Sequence, residues 1–270
     1  MITASIVLYN TDLKQLNTVI KSYAPSPDRL LFLIDNSENC LDSAPENPYI
    51  TYLFNNNNLG YGAAHNIGIR KAIELNSDYH VVLNPDLEFD PSVIDELKNY
   101  ADANKDVVYM LPKVVYPNGE LQYLCKLLPT PADLFIRRFL PNVGIFKRRN
   151  DRYVLKESGY DHIMNPPCLS GCFMFMRVKA LVENQLFFDE NYFMYCEDFD
   201  LIRRLHKIGK TLYYPKVCII HDHKKGSYKN FKMLIMHVIS TFKYFKKFGW
   251  FFDIDRKTIN TTFLDSEGII

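Results

Sequence analysis

The sequence predicts an α/β fold built on a doubly wound, mainly parallel sheet. Three observations predict it. Short apolar runs alternate with helical periodicity up to about Pro112, almost every run closes on polar residues, and no stretch approaches the roughly 20 apolar residues of a membrane span. Ala4 to Tyr9 is a buried-strand run ended by Asn10. Thr11 to Tyr23 places Leu13, Leu16, Val19, Ile20 and Tyr23 at helical spacing, with Asn10 or Thr11 as cap. Leu30 to Ile34 is a second strand, closed by Asp35-Asn36-Ser37, and Ile50 to Phe54 a third, closed by four asparagines. Gly62 to Leu75 reads as a helix. Tyr79 to Leu83 is a fourth strand, ending at Asn84-Pro85-Asp86. Asp90-Pro91 opens a helix whose buried face is Val93, Ile94 and Leu97, and Val107 to Leu111 is a fifth strand. In such sheets ligands bind beyond the carboxyl ends of the strands, where these polar residues collect.

Beyond Pro112 the pattern changes. Lys126 to Arg152 is basic and interrupted by proline, with Arg137, Arg138, Lys147, Arg148 and Arg149. Cys168 to Met176 reads as a buried strand after Pro166-Pro167. Asp198 to Ile208 reads as a helix stopped by Gly209, and Phe231 to Phe248 as a basic, aromatic-rich amphipathic helix. The 270 residues suffice for one large domain, or one domain with a small appendage. A net charge of +1 hides an asymmetry: Arg203 to Lys257 holds 14 Lys/Arg against 3 Asp/Glu. A basic end on an acidic body suits an anionic surface or substrate. Met1 runs straight into the first strand with no basic lead-in. The six cysteines, without a C-x-x-C pair, read as reduced thiols of a cytoplasmic protein.

Four stretches carry candidate chemistry. Asp86 follows a strand directly, so a rigid element positions its carboxylate. One carboxylate with phosphate oxygens and water suits Mg²⁺ or Mn²⁺; read alone, Asn84-Pro85-Asp86 is equally a strand-ending turn. Glu197-Asp198 opens a helix, whose N-terminus stabilises negative charge, so a base there stays ionised; capping alone would place the same acids there. Asn58 to Gly68 is glycine-spaced at a strand-to-helix junction. Gly60 and Gly62 would let a diphosphate approach backbone N–H groups, and His65 and Asn66 would reach phosphate or ribose, though His65 is equally a satisfied helix residue. His221-Asp222-His223 closes a strand, Val217 to Ile220, with metal-ligand or diphosphate chemistry, and Lys224, Lys225 and Ser227 add phosphate donors; a solvated basic loop is the alternative.

In order, Ile6 to Asn10, Asp35-Asn36-Ser37, Asn58 to Gly62, Leu83 to Asp86, Ser170-Gly171-Cys172-Phe173-Met174, Phe188-Asp189-Glu190 and Tyr192 to Leu201 resemble bacterial family 2 glycosyltransferases of the GT-A fold. Within that family the chain looks most like rhamnosyltransferases of O-antigen and cell-wall synthesis. These carry Asn-Pro-Asp and a Tyr-Phe-Met-Tyr-Cys-Glu-Asp stretch, here Tyr192 to Asp198. The resemblance implies a catalytic domain over 1–225, with a nucleotide half to about 112 and an acceptor half from 113, and a helical, basic-aromatic extension over 226–270. It implies inverting transfer of L-rhamnose from dTDP-β-L-rhamnose to a sugar on a polyprenyl diphosphate. Asp198 would be the base, aided by Glu197. The donor would meet Leu8, Tyr9, Asn10, Asp35, Asn36, Gly60, Gly62, His65, Asn66, Asn84 and Asp86. Asp86 with His221 and His223 would hold the metal, and Gly171, Cys172, Tyr195 and Asp200 would face the acceptor. Two positions depart from the family pattern. Asn84 replaces the first metal-binding Asp, and His65 stands where many members have Arg, a stronger diphosphate holder than a neutral imidazole.

A lipid acceptor gives the basic end a purpose. Lys232, Lys243, Lys246 and Lys247 among Phe231, Leu234, Ile235, Phe242, Tyr244, Phe245, Phe248 and Trp250 suit peripheral contact with the anionic inner face of the cell membrane; no nucleic-acid partner is expected. Two other classes share some of these features. A sugar nucleotidylyltransferase requires an N-terminal glycine-rich loop, whereas Ser5 to Leu13 contains no glycine. A non-catalytic sugar-binding protein would not need Glu197-Asp198. A family 2 enzyme using UDP-glucose or UDP-galactose remains the alternative donor reading.

Overall fold

The computed structural model describes residues 1–43, 45–140, 143–223 and 231–269, apart from the side chains of residues 138 and 139. Lys224, Lys225 and Ser227 therefore lie outside the described residues. In chain order the elements are β1 (Ile2–Leu8), α1 (Leu13–Tyr23), β2 (Arg29–Asp35), β3 (Ile50–Phe54), α2 (Tyr61–Glu74), β4 (Tyr79–Leu83), β5 (Leu87–Glu88), α3 (Ser92–Ala103), β6 (Val107–Val115), α4 (Pro131–Phe139), α5 (Gly144–Tyr153), β7 (Phe173–Arg177), α6 (Val178–Glu183), α7 (Glu197–Leu205), β8 (Lys210–His221), α8 (Phe231–Phe248) and α9 (Ile254–Ser266).

The strands form one sheet in the order β3-β2-β1-β4-β7-β6-β8-β5. β3, β2, β1 and β4 run parallel, as the alternation with helices requires. β6 and β8 are also parallel, while β7 lies antiparallel between β4 and β6. β1 and β4 are buried on both faces because helices or loops cover both; Ile6, Val81, Val82 and Leu83 are fully buried, and so are Thr3, Ser5 and His80, which satisfy one another by hydrogen bonds.

Several boundaries differ from expectation. Asp12, not Asn10 or Thr11, caps α1, accepting from the N–H groups of Lys14 and Gln15 at 2.8 and 3.1 Å. The expected strand from Cys168 begins only at Phe173; Cys168 forms a single bridge with Lys126. α7 starts at Glu197 and stops at Leu205, four residues before Gly209. Gly209 instead lets the chain pass Val108, whose Cγ1 would lie 2.5 Å from a Cβ there. Val217 to Ile220 is only the end of the longer β8. The proline-interrupted basic stretch contains two helices. Pro131 sits in the first turn of α4, where its missing N–H costs nothing, and Thr130 and Asp133 cap that helix reciprocally.

The C-terminal helices are docked onto this body. Tyr244 and Phe245 of α8 are buried, the Ser240 hydroxyl donates to Met194 O at 2.7 Å, and Asn260 of α9 exchanges two hydrogen bonds with the Leu128 backbone. Arg203 of α7 is almost fully buried in a two-bond pair with Asp253 at 2.7 and 2.6 Å. Two of the exposed basic residues reach back to the body: Lys243 donates to Asn191 O, and Lys247 pairs with Asp189 and Asp200. Beside its lysines α8 also exposes apolar residues. Phe231, Ile235, Val238, Ile239 and Phe242 form an outward stripe, and Phe251 and Phe252 beyond the helix are 80 % and 95 % exposed. Among the described residues no helix is long and apolar enough to cross a membrane.

Candidate active site

At the carboxyl ends of β1 and β2 the expected donor residues are tied to one another. Leu8 is buried and its carbonyl accepts from the Asn36 N–H at 2.9 Å. Asp35 is fully buried; its carboxylate accepts from the Ser37 N–H at 2.9 Å and the Tyr52 hydroxyl at 2.6 Å. Burial, followed by the Asp35 carboxylate, pushes the Tyr52 phenol up to about 12, so it stays a donor. Asn36 donates to Gly60 O at 3.2 Å and accepts from Asn55 at 2.8 Å. Tyr9 and Asn10 are exposed beside this network, and Asn10 takes the left-handed conformation that asparagine tolerates.

The start of α2 is more closely packed than its glycine spacing suggests. A Cβ on Gly60 would lie 2.3 Å from Phe193 O, and one on Gly62 would lie 2.8 Å from Phe188 Cβ. Protein fills the space a diphosphate was expected to use, and Phe193 O takes the Tyr61 N–H at 2.9 Å. His65 is fully buried, with Nδ1 2.8 Å from the Ser5 hydroxyl, which continues to His80 at 2.9 Å. Desolvation holds His65 well below the usual histidine range, so its ring is a neutral core group. Asn66 is also buried: it exchanges hydrogen bonds of 3.0 Å with both backbone groups of Phe188 and donates to Glu190 at 2.9 Å. In this structure Asn66 holds the 188–190 segment.

The expected metal residues do meet. Leu87 and Glu88 pair antiparallel with His221 and Ile220, which sets Asp86 beside a histidine 135 positions away in sequence. One ligand atom from each of Asp86, His221 and His223 lies within 4.8 Å of the others. Asp86 Oδ1 is buried, sits 3.3 Å from His221 Nε2 outside hydrogen-bonding geometry, and has no partner. An orphaned carboxylate oxygen facing two imidazoles fits a divalent cation. The His221 carbonyl accepts from Gln122 Nε2 at 2.7 Å, and Gln122 Oε1 lies 3.0 Å from Nδ1. Because Oε1 only accepts, Nδ1 carries a proton and Nε2 is turned toward Asp86. Burial opposes charge on His221, but Cys172 and Asp86 beside it raise its pKa to about 10, so the ring balances Asp86 until a cation displaces the proton.

Asp198 and Glu197 open α7 after Tyr195 and Cys196, both left-handed at φ 71° and 63°. Two such non-glycine residues in succession are strained, and they turn the chain so that the helix start meets the 170–172 segment. A Cβ on Gly171 would lie 2.9 Å from Asp198 Cβ; its absence lets the Gly171 N–H donate to Asp198 Oδ2 at 3.1 Å. Asp198 Oδ1 accepts from the Phe199 N–H at 2.9 Å. Burial raises the Asp198 pKa even so, with Lys126 and these N–H groups opposing the rise. Glu197 is raised well above the carboxylate range by burial and then by Asp198, and its Oε2 has no partner. Burial and the neighbouring Asp198 thus favour the protonated form of Glu197.

Asp200, expected on the acceptor side, is fully buried and structural. Arg204 at 2.6 Å and Lys247 at 2.5 Å neutralise it, joining α7 to α8. Cys172 is buried and its carbonyl accepts from the Asn84 N–H at 2.9 Å. Tyr61, to which the sequence reading assigned no role, links the two carboxylate centres: its hydroxyl lies 2.9 Å from Asn84 Oδ1 and 2.8 Å from Gly171 O. Its place in the Asn58 to Gly62 stretch was the available signal. Tyr195, Glu197, Asp198, Gln122, His221 and His223 all line one cavity of about 750 Å³. The cavity thus joins a pair of carboxylates to the two histidines beside Asp86, groups of the kinds that can take up a proton and hold a cation.

Comparison with known proteins agrees with this chemistry. Residues 4–183 match the family described as glycosyl transferase family 2. The rhamnosyltransferase WbbL of Escherichia coli K12 is 32 % identical over 196 residues, covering 68 % of this chain and 69 % of the relative. The N-acetylglucosaminyl-diphospho-decaprenol L-rhamnosyltransferase of Mycobacterium tuberculosis is 31 % identical over 192 residues, covering 67 % of this chain and 61 % of that enzyme. In fold, the structure of GalNAc-T7 with UDP, GalNAc and Mn²⁺ superimposes with a TM-score of 0.58 at 16 % identity, over 82 % of this chain and 42 % of that one. The mixed sheet and its neighbours are those of GT-A glycosyltransferases, with the expected C-terminal helical segment present. The chain is therefore a glycosyltransferase and belongs to glycosyl transferase family 2.

Proposed function

We propose that this protein is an inverting rhamnosyltransferase that moves L-rhamnose from dTDP-β-L-rhamnose to a hydroxyl of a sugar carried on a polyprenyl diphosphate. The observation that carries the reading is Asp198: a half-buried carboxylate, aimed by two backbone N–H groups, sharing a cavity with His221 and His223 of the Asp86 cluster. The acceptor oxygen would attack the anomeric carbon as Asp198 takes its proton. The bond from that carbon to the diphosphate oxygen breaks, and dTDP leaves with the electron pair. A divalent cation held by Asp86, His221 and His223 would supply positive charge to the leaving diphosphate. Two imidazoles in the donor set favour Mn²⁺ over Mg²⁺. Tyr9, Asn10, Asn84 and the Asp35–Asn36 network are the donor contacts in this reading, spread over residues 1–112. The acceptor is approached from 113–225.

Residues 226–270 would rest on the inner face of the cell membrane. The exposed apolar stripe of α8 with Phe251, Phe252 and nearby Lys246 supports this, because apolar side chains beside cations suit the headgroup boundary. The likeness to the two rhamnosyltransferases favours rhamnose over glucose or galactose. The test is a donor panel of dTDP-rhamnose, UDP-glucose and UDP-galactose against a synthetic N-acetylglucosaminyl diphosphate lipid, with EDTA and then added Mn²⁺ or Mg²⁺. Transfer from dTDP-rhamnose alone, lost with EDTA and restored best by Mn²⁺, is expected. Preferential use of a UDP-sugar would replace the donor, and wild-type transfer by Asp198→Asn would overturn the mechanism.

A further inference from the structure

The cavity beside Asp198 holds two cations that the chain does not neutralise. Lys126 is fixed through its backbone, which exchanges hydrogen bonds of 2.8 and 3.0 Å with Cys168. Its ammonium lies 5.0 Å from the Phe199 ring centre and has no ion-pair or hydrogen-bond partner among the described residues. Arg137 of α4 lines the same cavity, also without an ion pair among the described residues, and the two cations repel one another. The field of Asp198 partly offsets Lys126, whereas Arg137 is exposed with no carboxylate paired to it among the described residues, so its fork is available to an anion that enters the cavity. Two further wall groups, Tyr153 Oη and Asn150 Oδ1 of α5, are buried with no partner, as hydrogen-bonding groups are when a ligand completes them.

The wall combines polar Lys126, Asn150 and Tyr153 with apolar Leu134, Ile136, Leu140 and Phe146, the apolar side chains coming from α4, the residue after it and α5. On and beside the same helices Phe135, Val143 and Ile145 are 57 %, 61 % and 75 % exposed. We propose that Lys126 and Arg137 form a binding site for the acceptor's diphosphate, with its sugar held toward Asp198 by Tyr153 and Asn150 and its lipid leaving over the α4–α5 wall. This rests on the transferase reading above, and it assigns the acceptor's anion to groups separate from the Asp86 centre that faces the donor. Arg suits a diphosphate because its planar fork donates to two oxygens at once.

The test uses the full chain and two acceptors: N-acetylglucosaminyl diphosphate on a short alkyl chain, and the alkyl N-acetylglucosaminide lacking diphosphate. Wild type should prefer the diphosphate acceptor. Arg137→Ala and Lys126→Met should each shrink the ratio of kcat/KM between the two acceptors by about tenfold or more. Arg137→Lys and Lys126→Arg should restore part of it, and donor KM should hold within about twofold. An equal loss on both acceptors would mean that Lys126 serves Asp198 only, and a rise in donor KM would mean that the cations bind the donor; either result overturns the site. Should wild type transfer to neither acceptor, the proposed rhamnosyl transfer to a lipid-linked sugar fails on its own. Calorimetric titration of the diphosphate compound without donor then decides the anion site, which stands if Arg137→Ala weakens binding and falls if it does not.

Discussion

The donor edge and the cavity differ in how far the protein satisfies their polar residues. At the donor edge, Asp35, Asn36 and Asn66 are buried and hydrogen-bonded to protein, and His65 is buried with Nδ1 on Ser5 and only Nε2 without a hydrogen-bond partner. Around the cavity, Glu197 Oε2, Asn150 Oδ1 and Tyr153 Oη are all buried without one. Each costs about 1–3 kcal/mol when unsatisfied, which the fold tolerates where a ligand will complete the bond. The lesson is that charge pairing separates two neighbouring carboxylates of one helix. Asp200 is fully buried and neutralised by Arg204 and Lys247, while Asp198, two residues away and half-buried, meets only backbone N–H groups and the field of Lys126.

The largest effect should come from Asp198→Asn, which keeps the shape and removes the base. We expect kcat to fall by about 10²–10⁴ with little change in thermal stability. Asp200→Asn should do the reverse, lowering the melting temperature and sparing kcat; similar kinetic losses for both would break the comparison. Gln122→Leu comes next. It frees the His221 ring and should weaken the apparent metal affinity about 10–100-fold, read by titrating Mn²⁺ against activity after EDTA treatment. An unchanged midpoint would show that Gln122 does not position the ligand. Asn66→Ala removes buried bonds to Phe188 and Glu190 and should cost about 1–3 kcal/mol in urea unfolding. A raised donor KM at unchanged stability would return Asn66 to the donor site.

The smallest effects are pH dependences. Burial raises Asp198, so the acid limb of kcat/KM should lie above the 3.8 of an ordinary aspartate. Loss of activity runs downward in pH as the base takes up its proton. For stability the groups are His80, lowered by burial to about 3, and His65, lowered likewise. Between about 3 and the unfolded 6.5 the unfolded chain binds a proton at His80 that the folded chain refuses. The His80 contribution is therefore full above 6.5 and falls by about 1.4 kcal/mol per pH unit on acidification, and His65 acts in the same direction. Unfolding free energies from pH 7 to 5 check this, and His80→Gln should flatten the slope. An unaltered slope would mean that His80 is charged in the fold.

The donor half was legible in sequence because its elements are local. β1, β3, β4 and α2 lie within a residue or two of expectation, since period-2 and period-3.6 patterns need only neighbouring residues. The antiparallel insertion of β7, the helices inside the basic stretch and the contacts of Lys243 and Lys247 with the body were not legible. Each depends on a partner far along the chain. His65, Asn66, Gly60 and Gly62 were legible as special positions, but their partners Ser5, Phe188 and Phe193 were not.

By itself the sequence determined the residue types at strand and helix ends, Asn84-Pro85-Asp86 after one strand and Glu197-Asp198 at the head of a helix, because short-range periodicity and capping set those places. Only the tertiary structure decided which of these groups meet and which remain unsatisfied. Pairing of Leu87 and Glu88 with β8 delivers His221 to Asp86, and Tyr61 spans from Asn84 to Gly171. The physical reason is that satisfaction of a buried polar atom depends on partners brought within about 3 Å from more than a hundred residues away, which no local pattern encodes.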